Sequence, residues 1–328
     1  MFRTMLMPML LAAGALLTAC TGSALPTVGP AAEEVKVIAI RLPEGTFPRF
    51  PTVAPDGTVW CSESSGEAIA RIGTDGSVSH VRIPGSSNSP ADVVHGPDGL
   101  IWFVGFQVIG RITADQQLEG WEDRRIGLPK AMASGPDGAL WYTNEKEPPT
   151  ISRITPTGSI THHPIQTTGS SPTMPGITTG PDGALWFIET SFFPEGPRGI
   201  GRMTTGGEYR RWALSDAMTG PSRITAGPDD ALWFTTDRAI GRITVDGTIS
   251  DFPIPPGTRP FDITFGLDGA LWFTTDQGSI GRLTTSGQMT LHPIDGAEQL
   301  IGLASAQDGS LWIADGKADT LWHYTPTR

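Results

Sequence analysis

The chain has 328 residues, is 38% hydrophobic and 17% charged, and carries a net charge of −11. That apolar content excludes a compositionally disordered chain. The acidic balance, with no basic run, excludes a nucleic-acid partner, because an acidic body repels phosphate.

Residues 1–19 read as a targeting segment and not as part of the fold. Arg3 is its only positive charge, and the apolar run Leu6 to Leu17, interrupted by Pro8, is too short to cross a bilayer. The run ends Leu17-Thr18-Ala19-Cys20, which resembles the bacterial lipobox. Cleavage before Cys20 and acylation of that residue would anchor the chain, since several acyl chains on one residue supply the multiple lipid signals that stable anchoring needs. An ordinary secretory signal is the competing reading. Thr21, in place of aspartate, points to the outer membrane and periplasm in a Gram-negative host. Residues 20–34 form the lipidated tether, and membrane contact is expected through the anchor alone. Cys61 is then the one cysteine left, next to Trp60 in a predicted strand, so it reads as a buried structural thiol with no disulfide partner.

Residues 35–328 carry a repeat. Val35 to Pro43 looks like the outer strand of a four-stranded unit whose other strands are missing at this end. Pro55-Asp56-Gly57 then leads to Trp60, and the motif returns to place Trp102, Trp141, Trp186, Trp233, Trp272 and Trp312 at intervals of 39–47 residues. A second motif keeps step: Ile109-Gly110-Arg111-Ile112-Thr113 is matched by Ile240 to Thr244 and Ile280 to Thr284. Each period resolves into strands A to D, with an Asp-Gly turn between A and B. The last period stops after a strand C at Thr325, so the N-terminal strand is expected to complete it. The predicted fold is all-β: a seven-bladed β-propeller with four antiparallel strands per blade, its last blade closed by the N-terminal strand.

Residues that obey the repeat read as structural. The tryptophans fill spaces between blades, and the strand-C arginines hydrogen-bond at blade edges. The six histidines are scattered over outer strands and turns and show no metal-ligand spacing. A site should break the symmetry, and strand direction places the variable D–A and B–C loops on one face of the disc. Two registers report on its centre. Three residues after the tryptophans stand Glu63, Gly105, Asn144, Glu189, Thr236, Thr275 and Asp315. At the starts of strands A stand Arg49 and Lys130, followed one position on by Asp92, Arg223 and Asp262. Glu63, Glu189 and Asp315 could hold a hard cation through oxygen ligands, or form hydrated salt bridges. Blade 4 has the longest B–C loop, where Phe192 and Phe193 could wall a ligand pocket, form a partner patch or do neither.

The repeats "GPDGALWFxx", "IGRITxxG" and "FPIP" resemble those of the virginiamycin B lyase, or streptogramin lyase, family over residues 35 to 325. The resemblance implies a seven-bladed propeller that opens a cyclic depsipeptide by elimination at its ester linkage, with Mg²⁺ as electrophile and a histidine as base. The family's histidines lie at strand-A starts in the last blades. Here Phe261 and Ile301 stand at those positions, while Glu298 and Asp315 are the candidates for its carboxylates. The sequence therefore favours an envelope-anchored monomer that binds a small molecule or peptide at the variable face. A metal-assisted lyase or hydrolase acting on a depsipeptide or lactone, and a scaffold for envelope complexes, are the alternatives. Mg²⁺ is the single cofactor implied.

Overall fold

The computed structural model describes residues 35–65, 67–84, 89–166, 172–191, 196 and 198–326, so Cys20, Phe192 and Phe193 lie outside the described residues. Seven antiparallel sheets follow one another around a ring, each ordered A–B–C–D from the axis outward. Strands A are Pro48–Val53, Pro90–His95, Pro129–Ser134, Ile177–Thr179, Ile224–Ala226, Pro260–Phe265 and Leu300–Ser305. The ring closes as the pattern predicts. Lys36–Arg41 pairs antiparallel with Thr320–Thr325 as the outer strand of the seventh blade. Asp319 fastens the seam by accepting the N–H groups of Gly45 (2.7 Å) and Phe47 (2.9 Å). Blade 4 departs from the four-strand plan. Its strand B, Leu185–Ser191, is longer than its equivalents and pairs with an extra short strand, Pro172–Thr173.

Each strand-B tryptophan is packed against strand B of the next blade. Trp141 meets Leu185 and Phe187, Trp186 meets Leu232 and Phe234, and Trp312 meets Val59 and Cys61 across the seam. The core is thus a ring of interfaces between sheets, which a single blade could not bury by itself.

The rim explains the second motif. In blade 4, Trp186 Nε1 donates to Asp182 Oδ1 at 2.9 Å and Arg202 Nε donates to Oδ2 at 2.6 Å. The same clamp joins Trp102, Asp98 and Arg111 through the arginine Nη1, and Trp141, Asp137 and Arg153 through Nε. It recurs at Trp233, Asp229 and Arg242 and at Trp272, Asp268 and Arg282. Blades 1 and 7 lack it for a local reason. Thr58 and Ser310 stand two residues after the turn aspartate, and their hydroxyls take the Asp56 and Asp308 carboxylates. Arg71 keeps the stacking over Trp60, and His323 stacks on Trp312 at 4.6 Å. His163 and His292, on outer strands, are also ring partners, of Trp141 and Trp272.

Candidate functional site

Cross-strand register aligns the seven strands A. The residue two before the one facing the strand-B tryptophan is Phe50, Asp92, Ala131, Gly176, Arg223, Asp262 or Gly302. One residue earlier, at the mouth of the channel, stand Arg49, Ala91, Lys130, Pro175, Ser222, Phe261 and Ile301. The inner layer breaks the sevenfold symmetry. Two of its members are glycines because backbones approach there: a Cβ on Gly302 would lie 1.6 Å from the Arg49 carbonyl oxygen, and one on Gly176 2.9 Å from that of Ser222.

Arg223 crosses the axis from blade 5 to blade 2, where its Nη1 is 3.5 Å from Asp92 Oδ2. Its guanidinium also sits 3.5 Å from the centroid of the Phe50 ring in blade 1. Asp92 and Asp262 are equivalent residues doing equivalent work. Each caps the next amide of its own strand and reaches into the next blade, to Met132 N (3.1 Å) and Leu303 N (2.9 Å) respectively. Both are buried, and burial pushes their carboxyls up against the opposing pull of Arg223, Asp262 to about 6. The layer therefore balances two buried acids against an arginine they share, with Arg49 beside it. Arg49 is exposed at the mouth, 5.4 Å from the Phe50 centroid.

The ends of strands B do not join this layer. Glu63, Glu189 and Asp315 sit an odd number of residues from the tryptophan and so point to the other face of the blade. Small residues on strand C let two of them run outward. Glu63 passes over Ala68 and Ala70 to His80, 3.1 Å away on strand D. Glu189 passes over Gly199 and Gly201, accepting from Tyr209 (2.6 Å) and Arg211 (3.1 Å). Burial pushes both carboxyls up. Asp315 stays at its strand end and accepts the N–H groups of Glu298, Gln299, Lys317 and Ala318 at 2.7–3.2 Å. These three carboxylates are not brought together. Among the described residues no group of three His, Cys, Asp or Glu side chains could share a metal ion.

The other predicted residues divide. Lys130 is exposed at the mouth near Glu145, whose carboxyl is pushed up by burial and drawn back partly by Lys130. Glu298 pairs with Lys317 at 2.8 Å, outside the channel. Two features escaped the sequence. Phe50 is the ring on which both arginines rest, and its place in the Asp92 register was the available signal. In blade 3, Ser152 Oγ lies 2.8 Å from His162 Nδ1, whose Nε2 is 3.6 Å from Asp123. That order imitates a hydrolytic triad, but Ser152 is fully buried and bonded to Thr150, so no substrate can reach it.

The virginiamycin B lyase family model matches residues 14–196 and 129–327. Virginiamycin B lyase of Nocardia farcinica (strain IFM 10152) is 32% identical over 207 residues, 62% of this chain and 68% of that protein. The crystal structure of selenomethionine-substituted virginiamycin B lyase from Staphylococcus aureus is 32% identical, with a TM-score of 0.81 over 90% of this chain and 100% of that one. A catalytically inactive histidine-to-alanine variant of virginiamycin B lyase from the same organism, with quinupristin, matches at 32% identity and a TM-score of 0.80 over the same shares.

Proposed function

The chain belongs to the virginiamycin B lyase family, and from that premise we propose that it is a binding member of the family, taking a small molecule or peptide at the mouth of the channel. One observation carries this reading. Phe261 and Ile301 occupy the strand-A positions at which the resemblance expects histidine. Among the described residues no other histidine starts a strand A, so no imidazole is placed to take a proton from a ligand there.

The donors expected for Mg²⁺ do not fit it either. Four backbone N–H groups and the Trp322 Nε1 donate to the Asp315 carboxylate oxygens, which leaves that buried group committed to protein hydrogen bonds. Glu298 is held by Lys317. What remains at the mouth is a mixed surface of Arg49, Lys130, Phe261 and Ile301, on which a ligand can be oriented but not ionised. Elimination on a cyclic depsipeptide is the second reading, and family membership is what favours it.

Purified protein incubated with streptogramin B, with and without Mg²⁺, separates the two. The binding reading expects a saturable calorimetric signal with no ring-opened product by mass spectrometry. Turnover that disappears in Asp315→Ala would overturn it.

The Leu17 to Cys20 lipobox supports an envelope location, with the propeller tethered by a lipid on Cys20. A Cys20→Ala form should leave the membrane fraction for the soluble one. Retention in membranes would sink the anchor.

A further inference from the structure

Three consecutive blades, 6, 7 and 1, present Phe261, Ile301 and Arg49 at one register of the mouth. They are close neighbours. Asp262 reaches Leu303 between blades 6 and 7, and Gly302 lies against the Arg49 carbonyl between blades 7 and 1. The next residue around the ring, Ala91, is small. The arc is therefore apolar, apolar and cationic, then open.

The cations of the two central registers are not equivalent. Arg223 is ion-paired with Asp92 at 3.5 Å. Lys130 has Glu145 as its electrostatic neighbour. Arg49 has Asp92 and Arg223 as electrostatic neighbours but, like Lys130, no hydrogen-bond acceptor among the described residues; what sets it apart is the aromatic ring beside it. It is exposed at the mouth, and the Phe50 ring beside it restricts where its guanidinium can go. A planar fork of N–H donors, pre-positioned and without an acceptor, matches a carboxylate in shape and charge. Placing it next to Phe261 and Ile301 matches a carboxylate attached to an apolar body.

We infer that the mouth binds an apolar carboxylic acid, such as a linear peptide acid, with its carboxylate on Arg49 and its apolar part on Phe261 and Ile301. This rests on the binding reading above and sharpens it. An intact cyclic ester offers Arg49 only a neutral carbonyl, so the site prefers the opened acid over the closed ring. The selectivity comes from charge and not from area, since both forms carry similar apolar surface.

The test compares two probes, streptogramin B and its base-hydrolysed linear acid, by isothermal titration calorimetry at physiological salt. Wild type should bind the acid at least tenfold more tightly. Arg49→Ala should abolish the preference, lowering affinity for the acid at least tenfold more than affinity for the cyclic form, and Arg49→Lys should retain part of it. Arg49 is exposed, so all three proteins should unfold at the same temperature. Equal affinity of wild type for both probes, or a preference that survives Arg49→Ala, overturns this inference and leaves the binding reading standing. Binding of neither probe overturns both.

Discussion

The rim and the centre of this propeller use the same two residue types to opposite effect. At the rim, Asp182 is partly exposed and faces its own Arg202 and Trp186. Burial raises its carboxyl, but the two hydrogen bonds outweigh burial and hold it below the usual range. At the centre, Asp92 and Asp262 are buried and share Arg223, and there burial wins and the carboxyls rise. The partner is an arginine in both places. Access to water and the number of acids per arginine decide the sign.

Removing the arginine should separate the two regions most. Arg223→Met leaves two buried carboxylates without their shared cation and should cost about 3–5 kcal/mol at pH 7.5. Arg202→Met, at a quarter-exposed rim position, should cost about 1 kcal/mol. Urea unfolding of both variants checks this, and equal losses would break the comparison. Gly302→Ala comes next. Its Cβ would collide with the Arg49 carbonyl, so a loss of about 3 kcal/mol or failure to fold is expected, because two backbones must part.

The pH dependence sharpens the contrast. Asp262 titrates at about 6 in the folded chain, above its unfolded value. Its contribution to stability is therefore full below the unfolded value and is lost as pH rises through about 6. The loss is of order 2–3 kcal/mol. Asp262→Asn should flatten the stability profile between pH 4 and 7. Asp182 has the opposite slope: its contribution is present above the unfolded value and is lost as pH falls, so Asp182→Asn should flatten the profile below pH 4. Thermal unfolding across pH measures both. The smallest effect is expected at the turn of blade 5. Asp230 holds φ at +52° where six other blades have glycine at the same turn position. Asp230→Gly should stabilise by about 0.5–1 kcal/mol, because it relieves left-handed strain. A loss of stability would show that Asp230 contributes something the turn does not.

Most of the fold was legible because it is written seven times. The turn aspartates, the tryptophans and the strand-C arginines each recur at a period that only successive blades explain, and the structure joins them into one clamp. The clamp's absence from blades 1 and 7 was also present in the sequence, as Thr58 and Ser310. The site was legible only in part. The strand-A register placed Arg49, Asp92, Lys130, Arg223 and Asp262 around the centre. It could not say that Glu63 and Glu189 run outward, because that depends on Ala68, Ala70, Gly199 and Gly201 leaving room on a neighbouring strand.

By itself, then, the sequence determined the number of blades, the closing strand and the family, since each follows from local patterns repeated along the chain. Only the tertiary structure decided which charges meet. Arg223 and Asp92 lie in blades that no sequence period couples, and they touch because the ring brings its far sides together at the axis. The same closure left Arg49 at the mouth with no hydrogen-bond acceptor among the described residues, a property of the assembled circle and of no single blade.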